Sequence, residues 1–471
     1  VRPAEGPRGP AAHLGRVQLT PDIGGADQAG LAARVHARLD QRLSRDVDHP
    51  VALALSGGGD SIALLRLAAT WARARGRRLL ALTVDHGLQA DSAAWTAFAA
   101  EAARAQGATW IGLDWRGDKP TTGVTAAARA ARHRLIADAA RDAGARVVLF
   151  AHTANDIAEA DWMRAQGSTL GRLRDWTPSP VWPEGRGLVL ARPVLSERRE
   201  TLRNWLSGQG ADWIDDPAND DPRYGRSRAR QALQASTSAP VAPSRVVATP
   251  AVQPIILDGG VIQLDRSVRA STLAAALVCA GGGSTPPRGD RLSAVLDRLR
   301  AADNFVAVLS GARLEATADR VIVMREAGEW SRRPIAPLRL EPGQAAVWDG
   351  RCLFTAREPG WTVVAARGRL SSLTVRDRTT LNRLPPAARA AVPVLLRDDE
   401  TAPVLAGKGV EQRDLTAERL RLALDETTHE DDLNHAPDGV TPWNPLFSRK
   451  DIPDRGPTLG LRTTEDLNEP A

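Results

Sequence analysis

Residues 51–61 read Val-Ala-Leu-Ala-Leu-Ser-Gly-Gly-Gly-Asp-Ser. The apolar run Val51 to Leu55 has the pattern of a buried strand. A helical pattern begins directly after it, with Ile62, Leu65, Ala69 and Ala72 on one face. A glycine turn between a strand and a helix start lets the backbone approach an anion, and the first N–H groups of the helix point at that anion. Ser56, Gly57, Gly58, Gly59, Asp60 and Ser61 are therefore expected to hold a nucleotide phosphate. The competing reading is a bare strand-to-helix turn, and context separates the two. Gly281-Gly282-Gly283-Ser284 follows an apolar helical run and reads as a helix stop. Only the first triplet lies between a strand and a helix and carries an Asp and two hydroxyls. No Gly-Lys-Ser/Thr follows it, and no Gly-x-Gly-x-x-Gly is present there, so neither a Walker loop nor a dinucleotide fingerprint is supported.

Ser-Gly-Gly-x-Asp-Ser after a strand resembles the PP-loop of the N-type ATP pyrophosphatases. The resemblance implies ATP split between its α and β phosphates, with Ser56–Ser61 holding the departing pyrophosphate. Asp60 is an unfavourable neighbour for a polyphosphate unless a cation lies between them. Mg²⁺ coordinated by Asp60 meets that need, because Mg²⁺ takes few protein oxygens and completes its shell with phosphates and water.

The formal net charge is +6, and only Lys119, Lys408 and Lys450 among the basic residues are lysines. Excess arginine predisposes a chain towards polyanions, although a GC-rich genome produces the same bias. Cys279 and Cys352 are the two cysteines and form no Cys-x-x-Cys, which fits a reducing cytoplasm. No run of about 18 apolar residues exists, so no membrane partner is expected. The first residues lack an apolar signal core, so a cytoplasmic location is expected, while a first residue Val1 leaves the true start open.

From Val51 to about Leu233 apolar strand-like runs (51–55, 79–84, 110–113, 147–151) alternate with helical stretches (61–75, 93–106, 123–143). That alternation predicts an α/β fold with a doubly wound, mainly parallel sheet. The expected organisation is an N-terminal extension at 1–47, an ATP pyrophosphatase domain at 48–235 and a linker at 236–254. A helical or α+β domain follows at 255–330, a C-terminal α+β domain at 331–427 and a disordered tail at 428–471.

Three further segments would fall at the carboxyl edge of the sheet, where ligands bind in such folds. Asp85-His86-Gly87-Leu88 ends the second strand. Arg129 and Arg132 share a helix face in Ala-Arg-Ala-Ala-Arg-His. Asp156 and Glu159 lie three apart at the start of a helix after His152-Thr153. They read either as plain caps or as an acidic pocket for a cationic substrate. Residues 213–230 then read Trp-Ile-Asp-Asp-Pro-Ala-Asn-Asp-Asp-Pro-Arg-Tyr-Gly-Arg-Ser-Arg-Ala-Arg. Arg223, Arg226, Arg228 and Arg230 beside Tyr224 suit an RNA backbone with a stacked base.

In this order the segments resemble the tRNA(Ile)-lysidine synthetases over about residues 50–235. Asp85 stands where that family has His, His133 where it has Tyr, and Thr153, Asn155, Ile157 and Ala160 depart from its His-His-x-Asp-Asp-Gln-x-Glu-Thr. The resemblance implies that His86 lines the ATP site, that Arg132 faces the reacting phosphates and that the domain at 255–330 is a tRNA-binding domain. It implies that Asp60, Arg132, Asp156 and Glu159 carry catalysis, with Asp156 and Glu159 receiving L-lysine. The implied reaction joins free lysine to the wobble cytidine of the CAU anticodon of tRNA(Ile) through an adenylated cytidine, releasing AMP and pyrophosphate. No DNA partner is implied, and a homodimer is one expectation for the assembly. A tRNA thiolase of the same superfamily is the rival reading, and it calls for paired cysteines that the chain lacks.

Overall fold

The computed structural model describes residues 25–45, 47–168, 171–216, 223, 225–234, 253–398, 402–433 and 461–463. The chain divides into two compact units, one made of residues up to Arg245 and from Thr427 onward, the other of Val246–Glu426.

The first unit opens with helix α1 (Gly25–Asp40). It continues as β1 (Val51–Ala54), α2 (Gly59–Ala74), β2 (Leu79–Asp85), α3 (Ser92–Ala105), β3 (Thr109–Asp114), α4 (Val124–Asp142), β4 (Val147–Leu149) and α5 (Ala154–Ala165). Strands β5 (Trp176–Pro178) and β6 (Val189–Ala191) and helices α6 (Arg199–Gly208) and α7 (Gly225–Gln234) complete it. Neighbouring strands run in the order β3-β2-β1-β4-β6-β5, with strand Leu461–Thr463 outside β3. The central pairs β1–β2, β2–β3, β1–β4 and β4–β6 are parallel, and both outer strands are antiparallel. The α/β expectation holds, and the β5–β6 pair is an element the apolar runs did not announce.

Alternation along the strands explains the two-sided burial. Ala52, Leu82, Val148 and Phe150 face Ile136 and Ala140 of α4. Leu53, Ala81 and Leu149 point the other way and are also fully buried. Right-handed crossovers put α2 and α3 on one face and send α4 to the other when the chain reverses to reach β4. The reversal leaves a crevice between the carboxyl ends of β1 and β4, the usual ligand position in such sheets. The glycine turn Ser56–Ser61 follows β1, and His152–Glu159 follows β4.

Residues 428–433, expected in the tail, belong to this unit. Glu430 sits in a short 3-10 turn and is 1% exposed. Its carboxylate accepts two bonds from Arg77, from Nη2 at 3.0 Å and Nη1 at 3.1 Å, and one from the Ser44 N–H at 2.9 Å. The Glu430 N–H donates to the Arg42 carbonyl at 2.8 Å. A buried charge persists only when paired and hydrogen-bonded, and here every carboxylate partner lies in residues 44–77.

The second unit holds a five-stranded antiparallel sheet and two three-stranded sheets. Helices Ala270–Gly281 and Gly289–Arg300 cover one face of the larger sheet through Leu273, Leu277, Leu296 and Leu299. Gly282 ends the first of these helices at φ +73°, the stop expected of that glycine triplet. On the other face Val261, Ile322 and Met324 share a core with Val364, Val394 and Leu384. That shared core spans residue 330, where the boundary between two separate domains was expected. Both cysteines lie in this unit as buried thiols, pushed up by burial to about 11 for Cys279 and about 12 for Cys352.

Candidate active site

The turn after β1 is shaped by a roof laid over it. Gly57 has φ +82°, and a Cβ there would lie 2.6 Å from Ile214 Cδ1. The Ile214 N–H donates to the Gly57 carbonyl at 2.9 Å. A Cβ on Gly59 would touch the Trp213 ring at 3.4 Å. The roof is itself fixed, because Asp215 accepts from Trp213 Nε1 at 3.2 Å and from Arg203 at 2.7 Å. Inside the turn, Ser61 Oγ donates to the Gly58 carbonyl at 2.9 Å and lies 3.2 Å from Ser56 Oγ. Ser56 is exposed, and the start of α2 offers the unbonded N–H groups of a helix N-terminus.

Asp60 lies in the first turn of α2. Its Oδ2 accepts from Arg199 Nε at 3.0 Å, while its Oδ1 is buried and has no hydrogen-bond partner among the described residues. Burial pushes this carboxyl above the usual range, against the pull of Arg199. No group of three or more acidic, His or Cys ligands occurs among the described residues. A carboxylate oxygen without a partner among the described residues, at the glycine turn, is a donor of the kind Mg²⁺ accepts.

Asp156 and Glu159 come together with Asp60 through a residue the sequence reading passed over. Arg199, the first residue of α6, donates from Nη1 to Glu159 Oε1 at 3.1 Å and places Nη2 3.6 Å from Asp156 Oδ2. Its own N–H donates to Asn155 Oδ1 at 3.0 Å, so Asn155 seats the start of α6. One guanidinium therefore faces three carboxylates, which hold it above its ordinary pKa despite burial. Asp156 also caps α5, accepting from the Thr153 N–H at 2.8 Å and Oγ1 at 3.0 Å. Asp156 is thus a helix cap whose carboxylate also faces Arg199. Burial pushes the Asp156 carboxyl up, yet His152, Arg199 and the Thr153 N–H hold it below the usual range. Glu159 is 2% exposed, and its Oε2 has no partner among the described residues.

Helix α7 packs beside α5 and divides the four expected RNA contacts. Arg230 Nε donates to Glu159 Oε1 at 3.2 Å, and Arg226 lies 3.7 Å from Asp156 Oδ1. Arg223 and Arg228 are exposed, Arg228 donating to the Arg223 carbonyl at 3.1 Å. Tyr224 and residues 217–222 lie outside the described residues.

Arg132 sits beside Arg129 and Arg226, pushed down to about 10 by burial and by these two cations. Its Nε has no partner among the described residues. These three guanidiniums, two of them interacting with Asp156, make a cationic cluster suited to an anion. His86 meets the Trp115 ring edge-on at 5.9 Å, and burial and Arg132 hold it below its usual pKa.

A family model described as a PP-loop domain matches residues 31–236. The tRNA(Ile)-lysidine synthase of Caulobacter vibrioides is 50% identical over 370 residues, covering 79% of this chain and 90% of that protein. The tRNA(Ile)-lysidine synthase of Hyphomonas neptunium is 35% identical over 347 residues, 68% of this chain and 90% of that protein. The one from Mesorhizobium japonicum is 33% identical over 399 residues, 76% of this chain and 85% of that protein. The family model takes in the crevice residues, and the 370-residue match is longer than either structural unit. The chain belongs to the tRNA(Ile)-lysidine synthase family.

Proposed function

We propose that this chain ligates free L-lysine to the wobble cytidine of the CAU anticodon of tRNA(Ile), using ATP and releasing AMP and pyrophosphate. The observation that carries the reading is Arg199, which ties Asp60 of the phosphate turn to the carboxylates that would receive lysine. Activation and amine transfer would then share one crevice.

In the first step the ring carbonyl oxygen of the cytidine attacks the α-phosphorus and pyrophosphate leaves. Backbone N–H groups of Ser56–Ser61 and the Arg132 guanidinium would hold phosphate oxygens as charge moves onto them. Asp60 Oδ1 would hold Mg²⁺, which supplies charge neutralisation between the phosphates when bound.

In the second step the ε-amine of lysine attacks the activated ring carbon and AMP leaves. The unpaired Oε2 of Glu159 is the acceptor a buried ammonium needs, and a carboxylate there can take the proton the attacking amine must lose. Asp156, kept ionised by its neighbours, would hold the second amino group. Arg223 and Arg228 would meet the tRNA backbone, while Arg226 and Arg230 set the charge of the lysine pocket. Thiolation finds no support, since both cysteines are buried in the other unit. A cytoplasmic location follows from this reading, and no helix of the described residues is long and apolar enough to cross a membrane.

The test is incubation with ATP, labelled lysine and tRNA(Ile) bearing CAU. Label moving to the tRNA with ATP dependence supports the reading, and its absence refutes it.

A further inference from the structure

Phe150, at the end of β4, is stacked between two imidazoles. His133 of α4 lies at 5.3 Å and 25°, and His152 at 5.8 Å and 15°. His152 is 9% exposed, and its Nδ1 accepts from Arg192 Nε at 3.1 Å. A guanidinium only donates, so Nδ1 must present its lone pair and the single ring proton resides on Nε2. Arg192 is held in place from three sides. Its Nη1 donates to the Arg174 carbonyl at 2.7 Å and to Thr177 Oγ1 at 3.0 Å, and its N–H donates to the Asp175 carbonyl at 2.7 Å. Burial keeps the His152 ring neutral, pushed down to about 3. The result is an oriented, uncharged N–H donor at the start of α5. Nothing among the described residues accepts from its Nε2.

Free lysine brings three polar groups. Two are ammoniums and need the acidic partners Asp156 and Glu159. The third, the α-carboxylate, needs a donor, and a neutral N–H supplies one without adding to the guanidiniums of Arg199, Arg226 and Arg230 already on those carboxylates. The α-carboxylate and α-ammonium share one carbon, so their partners must be neighbours. His152 and Asp156 flank the Thr153 cap of α5, and each shifts the titration of the other. Glu159 lies one helical turn further on, towards the end where the ε-amine would sit.

We propose that His152 donates its Nε2–H to the α-carboxylate of the incoming lysine, with Asp156 taking the adjacent α-ammonium. The proposal rests on the lysine ligase reading above. It makes His152 a substrate-binding residue and Arg192 the positioning residue that fixes its tautomer.

The experiment compares kcat/KM for transfer of lysine and of 1,5-diaminopentane, which is lysine without its carboxylate, to tRNA(Ile). The ratio of the two does not depend on the folded fraction of a variant. His152→Phe keeps the aromatic stack and removes the donor. His152→Gln keeps an N–H donor. The expected preference for lysine falls about 10- to 100-fold in His152→Phe, as for loss of a hydrogen bond to a charged group, and stays within about threefold of wild type in His152→Gln. An unchanged preference in His152→Phe, or equal losses in the two variants, overturns the assignment. Wild-type protein that transfers neither amine overturns the ligase reading instead.

Discussion

Arg199 Nε donates to Asp60 Oδ2 at 3.0 Å, so the first residue of α6 is fastened to the start of α2. The same guanidinium reaches Glu159 and Asp156, and its removal would leave three carboxylates crowded in a desolvated crevice. Leaving a buried charge uncompensated costs about 3–5 kcal/mol. Arg199→Met is therefore expected to lose both ATP–pyrophosphate exchange and lysine transfer by at least ~100-fold. Loss of only one of the two would contradict a shared crevice.

Asp60 Oδ1 has no partner among the described residues, and a divalent ion is the partner assigned to it. Asp60→Asn is expected to abolish tRNA-dependent ATP–pyrophosphate exchange, and chelation of divalent ions should do the same to the unaltered protein. Equilibrium binding of tRNA should persist in both cases, as a filter-binding measurement would show.

Glu159→Gln keeps the shape of the side chain and removes the negative charge that would pair with an ammonium and the base that would take its proton. Exchange should stay within about tenfold of wild type while transfer of lysine falls ~100-fold or more. Equal losses in the two assays would move Glu159 from the lysine step to the adenylation step.

His133 and His152 are both held neutral at about 3, against an ordinary value of 6.5. Their folded pKa is depressed, so the unfolded chain takes up protons first as pH falls. The stability they contribute is complete above about 6.5 and is lost on descending towards about 3. The loss approaches ~1.4 kcal/mol per pH unit for each ring. Denaturant midpoints at pH 7.5 and pH 5 should therefore differ, and His133→Phe should flatten the difference. A His133→Phe variant with the same slope as wild type would contradict the assignment.

The Arg77–Glu430 pair has side-chain exposures of 0% and 1%. Glu430→Ala leaves Arg77 charged and buried, so the first unit should lose about 3–5 kcal/mol of stability. Thermal unfolding monitored on that unit checks this, and an unchanged midpoint would show that residues 428–433 are not needed by it.

Legibility in the sequence followed the range of the interactions. The glycine turn after β1 and the placing of Asp156 and Glu159 at a helix start were readable because strand, turn and helix start are contiguous. Arg199 was not, since in Glu197-Arg198-Arg199-Glu200 it looks like a solvated charge and its partners lie 40 and 139 positions away. Arg226 and Arg230 carry the spacing of an RNA-facing helix, yet the packing of α7 on α5 turns them to carboxylates. Glu430 reads as part of an acidic, aperiodic tail because its partner Arg77 is 353 positions distant.

The most direct measurement of the central claim is mass analysis of the wobble nucleoside of tRNA(Ile) after incubation with the protein, ATP and lysine. The account predicts that the wobble cytidine is replaced by a cytidine joined through its C2 carbon to the lysine side-chain nitrogen, in step with release of AMP and pyrophosphate. An unmodified cytidine, or one carrying sulfur in place of lysine, would contradict it.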